Sequence, residues 1–110
     1  MITSQHRALE PEKKDLEFPY ASFGAMGLQT AIIALLTRYP EEETISILQK
    51  VFSDNIIRIF GLEDYFKKDK IAIFDKCENY TFGINDLTSN SYNSPFIGRS
   101  FNYKLNHIKN

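Results

Sequence analysis

Cysteine is almost absent from this chain: Cys77 stands alone among 110 residues. A single thiol excludes an intramolecular disulfide and a multi-cysteine zinc site, and it agrees with a reducing compartment. No local nucleophile signature surrounds Cys77 to suggest pairing with His6 or His107, so it reads as a small packing residue. Those two histidines are the only ones, and no metal-ligand spacing can be read from them. An excess of one charge is also missing. Thirteen basic and fourteen acidic side chains leave a net charge of −1, which offers no electrostatic footprint for nucleic acid or an anionic membrane. The longest wholly apolar run, Ala31 to Leu36, falls far short of the ~20 residues that span a bilayer. No charged segment followed by an apolar stretch opens the chain, so a soluble, cytoplasmic protein is expected. There is no repeat period, and the only compositional bias is Asn/Ser enrichment between Asn85 and Ser94.

What is present is concentrated between Phe18 and Leu36. Pro19 disfavours the helical region for Phe18, and Gly24 and Gly27 permit tight turns before a helix spanning Leu28 to Leu36. Only Gln29 and Thr30 interrupt the apolar character of that helix, so it needs partners on more than one face. A chain of 110 residues has few to offer. Its length suits one domain or part of one, and lies well below the ~250 residues of a closed (β/α)8 barrel.

Ahead of this region, Met1 to Ser4 is β-compatible and runs into the polar cluster Gln5-His6-Arg7, while Glu10 to Glu17 reads as a solvated loop. Behind it, Arg38 complements a helix C-terminus and Pro40 separates that helix from the next. Glu41, Glu42 and Glu43 suit the positive end of a second helix, which explains them better than an acid/base role. In that helix Ile45, Leu48 and Phe52 recur at helical spacing, with Ile47 and Val51 alongside. Ser53 or Asp54 is placed to cap a third helix, Asn55 to Phe60, which Gly61 ends. Beyond Glu63 the pattern becomes short strands: Ile71 to Phe74, Tyr80 to Phe82, Phe96-Ile97 and Phe101 to Leu105. Composition and spacing alone reveal no enzyme.

Three separated motifs carry a resemblance. Ile2-Thr3-Ser4-Gln5-His6, a charged loop, Glu17-Phe18, and Ala21-Ser22-Phe23-Gly24-Ala25-Met26-Gly27-Leu28-Gln29-Thr30-Ala31 resemble the last barrel strand and following loop of dihydroorotases and related cyclic amidohydrolases. Arg58-Ile59-Phe60-Gly61-Leu62 is similar to that family's short glycine-capped helix. Asn93-Ser94-Pro95-Phe96-Ile97-Gly98 is similar to its C-terminal signature. The resemblance implies an α+β fragment. Residues 1–62 would be the C-terminal part of a (β/α)8 metal-dependent hydrolase barrel, with its last strand, loop and three helices. Residues 63–110 would be short strands of the flanking β-domain. The activity it implies is hydrolysis of a cyclic amide in pyrimidine biosynthesis, with dihydroorotate and carbamoyl aspartate on the two sides of the reaction.

The same resemblance implies losses. The family's zinc is held mostly by residues that would precede this sequence, so no cofactor is expected in the chain itself and no metal ligand is assigned. Gln5 stands where active members carry the aspartate that contacts the metal and shuttles the proton of the attacking water. A neutral carboxamide cannot accept and return that proton. Leu9 stands at a histidine that helps hold the substrate carboxylate, and it offers no donor. Phe23 and Gly24 match the pair that lines the substrate pocket, although loop packing before a helix explains them equally well. These losses resemble non-catalytic dihydroorotase homologues that accompany aspartate carbamoyltransferase. A C-terminal fragment without activity by itself is therefore expected; the alternative is a non-catalytic structural partner of aspartate carbamoyltransferase or of a complementary barrel fragment, and a protein partner or self-association is expected through the exposed apolar helix. An allantoinase-like or hydantoinase-like hydrolase is the weaker alternative.

Overall fold

The structure, a computed structural model, describes residues 1–66 and 71–109, with side chains described at 1–66 and 72–106. It is a small α+β chain. In order it forms α1 (Pro11–Lys14), α2 (Ala31–Arg38), α3 (Glu42–Gln49), a π-helical segment (Lys50–Asp54), α4 (Asn55–Phe60), β1 (Ile71–Thr81), a 3₁₀ turn (Ile84–Asp86) and β2 (Ser100–Lys109). The strands pair as a two-stranded antiparallel sheet. Contacts divide the chain into two compact units that alternate along the sequence. One comprises Met1–Thr3, Ile32–Tyr80 and Phe101–Asn110; the other comprises Ser4–Ala31 and Thr81–Ser100.

In the first unit, the buried apolar side chains come from α2, α3 and β2. Ile33 and Leu36 of α2 are buried, while Ile32 and Leu35 are half-buried. Leu48 of α3 and Phe101 of β2 complete the buried apolar set of this unit among the described residues. Helix α2 begins at Ala31, later than the expected Leu28, because a turn occupies residues 28–30. Arg38 does occupy its last turn, and Glu42 and Glu43 the first turn of α3. The third helix is not separately capped: Asp54 itself is right-handed helical and its side chain makes no capping bond. Instead α3 runs through the π segment into α4, where the Asn55 N–H reaches back to the Lys50 carbonyl. Inserting a residue in this way loosens the helical ladder. The Ile2 N–H donates to the Val51 carbonyl at 3.0 Å. Gly61 adopts the expected left-handed conformation, φ 61°, and the following Leu62 N–H closes on the Ile57 carbonyl.

Several local expectations are corrected. Met1–Ser4 is not a strand: the described sheet consists of β1 and β2, so this segment has no ladder to join. Glu10–Glu17 is not wholly loop, since Pro11 at the first position starts the short α1. Ile71–Phe74 and Tyr80–Thr81 belong to one strand that continues through polar residues. The Asn106 amide donates to Asp75 Oδ2 at 2.6 Å, and Lys104 lies 4.9 Å over the Tyr80 ring. Phe96-Ile97 lies in a turn, where the Arg99 N–H donates to the Phe96 carbonyl.

The second unit is built largely of loops bound to one another. Its buried side chains are Met26, Thr30 and Phe82. The Thr30 hydroxyl is buried without a hydrogen-bond partner, a condition that costs about 1–3 kcal/mol. Within the second unit, Gln29 ties the turn at 28–30 to the 86–88 segment. Its Nε2 donates to the Asp86 carbonyl, and its Oε1 accepts from the Thr88 N–H and hydroxyl at 3.1 and 3.2 Å.

Candidate functional site

The residues singled out by motif lie together in the second unit, on two loops, 5–9 and 22–28. Gln5 is exposed and holds a left-handed backbone, φ 51°, which turns the chain sharply before His6. His6 faces back onto the second loop, its Nδ1 accepting the N–H groups of Gly27 and Leu28 at 3.3 and 3.1 Å. The Arg7 N–H then donates to the Ala25 carbonyl at 2.9 Å, fixing the register of the two loops.

Two glycines make this approach possible. Gly24 has φ +135°, and a Cβ there would stand 2.7 Å from Arg7 Cδ, so the Arg7 stem occupies the space a side chain would need. Gly27 serves close approach rather than a left-handed turn, since its Cβ would stand 2.9 Å from the Ser4 carbonyl oxygen. Lys14 reinforces the loop from the other side, its Nζ donating to the carbonyls of Ser22 and Gly24 at 2.9 and 3.2 Å.

Asn93 joins both loops. Its Oδ1 accepts the Leu9 N–H at 3.1 Å, and its Nδ2 donates to the carbonyls of Arg7 at 2.9 Å and Gly24 at 3.3 Å. Its own carbonyl accepts the Met26 N–H at 3.1 Å. Sequence reasoning named Asn93 only as part of a signature and missed this function. An Asn preceding Ser-Pro was the available signal, because a short amide can serve two backbone segments at once. Asn93→Ala removes three side-chain bonds, two of them to groups on the 5–9 loop. It should lower unfolding free energy by about 1–3 kcal/mol, to be read from urea titration. A loss below about 0.5 kcal/mol would show that solvent replaces this amide.

The structure therefore brings Leu9 and Gly24 to one amide and sets His6 against Gly27 and Leu28. Phe23 projects outward and is exposed. A shallow depression of about 300 Å³ is lined by Leu9, Pro11, Lys14, Asp15, Tyr92 and Asn93. The other sequence candidates belong to the first unit: Cys77 is half-buried on β1, and Glu41–Glu43 start α3. The His107 side chain lies outside the described residues. Among the described residues no three His, Cys, Asp or Glu side chains converge. With His6 Nδ1 engaged by backbone and Gln5 bringing an amide, the donor set does not fit a zinc ion by itself. No helix among the described residues is long and apolar enough to cross a membrane.

With this geometry in place, comparison with known proteins is informative. The chain is 33% identical to the dihydroorotase of Endomicrobium trichonymphae over 107 residues, which is 91% of this chain and 25% of that protein. It is 29% identical to the dihydroorotase of Clostridioides difficile (strain 630) over 113 residues, 97% of this chain and 26% of the relative. It is 31% identical to that of Geobacter sp. (strain M21) over 103 residues, 88% and 24% of the two chains. The sequence is dihydroorotase-like over about nine tenths of its length, and it spans about a quarter of the curated relatives it matches. No family model matches the chain, and no solved structure does.

Proposed function

We propose that this chain is the C-terminal portion of a dihydroorotase-like cyclic amidohydrolase and that it does not hydrolyse a cyclic amide by itself; a non-catalytic structural role is the alternative. Residues 1–62 then correspond to the end of a (β/α)8 barrel and residues 63–110 to strands of a flanking β-domain. Similarity to dihydroorotases along nearly the whole chain supports the lineage.

The observation that carries the loss of activity is Gln5. It occupies the position where the resemblance places the proton-shuttling aspartate, and it sits at the exposed, sharply turned start of the 5–9 loop. A carboxamide stays neutral near pH 7, so it neither takes a proton from water nor returns one to a leaving nitrogen. Leu9 adds a second loss. Its side chain has no donor for a substrate carboxylate, and its backbone N–H is already given to Asn93. Phe23 and Gly24 keep the residue types of a substrate-lining pair, with the Arg7 stem lying across Gly24.

Incubation of the purified chain with dihydroorotate, and separately with carbamoyl aspartate, tests this reading. No turnover above the buffer rate is expected in either direction. Hydrolysis by the chain alone, proportional to its concentration, would overturn the proposal.

A further inference from the structure

Positive charge gathers at Gly24 without negative charge to balance it. The Arg7 stem crosses this glycine so closely that an added Cβ would meet Arg7 Cδ, Cγ and Cβ at 2.7, 2.9 and 3.0 Å. Lys14 Nζ reaches the same residue, donating to the Gly24 carbonyl at 3.2 Å and to the Ser22 carbonyl at 2.9 Å. Neither cation is paired with a carboxylate among the described residues, although Glu10, Glu12, Asp15 and Glu17 are near in sequence; Glu10 pairs with Lys13 instead. The Arg7 side chain is exposed, and its guanidinium has no hydrogen-bond partner among the described residues. The N–H groups of Phe23, Gly24 and Ala25 are unused as well, because the bonds of this stretch run through its carbonyls. Those of Gly24 and Ala25 accept from Lys14, Asn93 and the Arg7 N–H. Successive unengaged N–H groups beside a cation are the parts from which anion-binding concavities are made.

We infer that Arg7, with Lys14 and the backbone of residues 23–25, binds a carboxylate carried by a small molecule. A guanidinium presents a planar fork that matches the two oxygens of a carboxylate. Lys14 has given two of its three N–H groups to carbonyls, so it adds charge and at most one further bond. That balance suits a monoanion. A dianion would bring its second charge towards Asp15, which lines the same depression as Lys14. The resemblance assigns no role to Arg7 or Lys14, and the inference stands on these residues whatever the lineage of the chain. It goes beyond the proposed function in one respect: Leu9 offers an anion no donor, and Arg7, two residues earlier on the same loop, offers several. Binding without turnover is the consequence.

Acetate is the probe, titrated into the full 110-residue chain at constant ionic strength and followed by the amide resonances of residues 23–25. Saturable shifts with a dissociation constant of about 10 mM or tighter are expected. Arg7→Met keeps the stem that packs on Gly24 and removes the charge. It should weaken binding at least about tenfold while the melting temperature stays within about 2 °C. Arg7→Lys, which keeps the charge and loses the fork, should fall between the two. Lys13→Gln removes a neighbouring cation already paired with Glu10 and should change affinity less than about twofold. Shifts that remain linear up to about 200 mM acetate would overturn the inference. So would an equal loss in Lys13→Gln, which would assign binding to the general charge of the surface. Tighter binding of inorganic phosphate than of acetate would reassign the site to a dianion and also overturn it. Failure to bind acetate in a chain silent on dihydroorotate leaves the proposed function standing, whereas turnover by the isolated chain sinks that proposal whatever the titration shows.

Discussion

Gln5→Asp should leave the isolated chain without measurable hydrolysis of dihydroorotate, and should raise turnover at least about 100-fold when a dihydroorotase shortened by the segment this chain matches is present. The asymmetry follows from where the parts lie. A carboxylate restored at residue 5 can accept and return a proton, but it contributes to rate only beside the rest of a hydrolytic centre, and the described residues bring no three metal-ligating side chains together. Positioned general bases contribute about 10²–10⁴ in rate, which sets the lower bound on the expected gain. Adding Leu9→His should then lower KM more than it changes kcat, because the resemblance places at that position a histidine that holds the substrate carboxylate rather than one at the reacting bond. Hydrolysis by the Asp variant alone would refute this division of labour. An unchanged rate in the reconstituted pair would show that Gln5 is not what separates this chain from turnover.

Phe82→Ala is expected to have the largest effect on stability. Phe82 follows β1 directly and is among the most deeply buried side chains described. Its backbone is bound on both sides, the N–H donating to the Arg99 carbonyl at 2.9 Å and the carbonyl accepting the Gly98 N–H at 2.7 Å. A backbone held this firmly cannot collapse to fill the space a phenyl ring leaves. Truncation of a buried phenylalanine costs about 3–5 kcal/mol, a large part of the 5–15 kcal/mol that stabilises a typical domain. The thermal midpoint should fall by more than about 10 °C. Ile84→Ser, two residues along at an exposed position, should shift it by less than about 3 °C. Comparable shifts for the two variants would mean that the ring is not buried in solution.

Local patterns in the sequence were readable where one element sufficed to explain them. The acidic start of α3, the basic end of α2 and the left-handed Gly61 follow from the helix dipole and from backbone sterics, and all are present. Helical spacing placed Ile45, Leu48 and Phe52 on one face, but only Leu48 is buried and Ile45 is exposed, because periodicity does not say what covers a face. Features that depend on distant partners were not legible. Asp75 to Asn79 reads as a polar break, yet β1 runs through it, since β2 supplies the ladder and Asn106 pairs with Asp75. In the site, motif reading named Gln5, Leu9, Phe23 and Gly24. It gave no account of Asn93, whose amide reaches Leu9 and Arg7 across 84 and 86 positions of sequence. The crossing of Arg7 over Gly24 was equally invisible, since a glycine in sequence shows only that a side chain is absent.

The central claim is that the residues of this chain do not by themselves make a hydrolytic metal centre, and zinc content tests it most directly. Protein purified in the presence of zinc and dialysed exhaustively against metal-free buffer should retain far less than one ion per chain, and His6→Ala should leave that residue level unchanged. Near-stoichiometric zinc retained by the natural sequence and lost in His6→Ala would contradict the account.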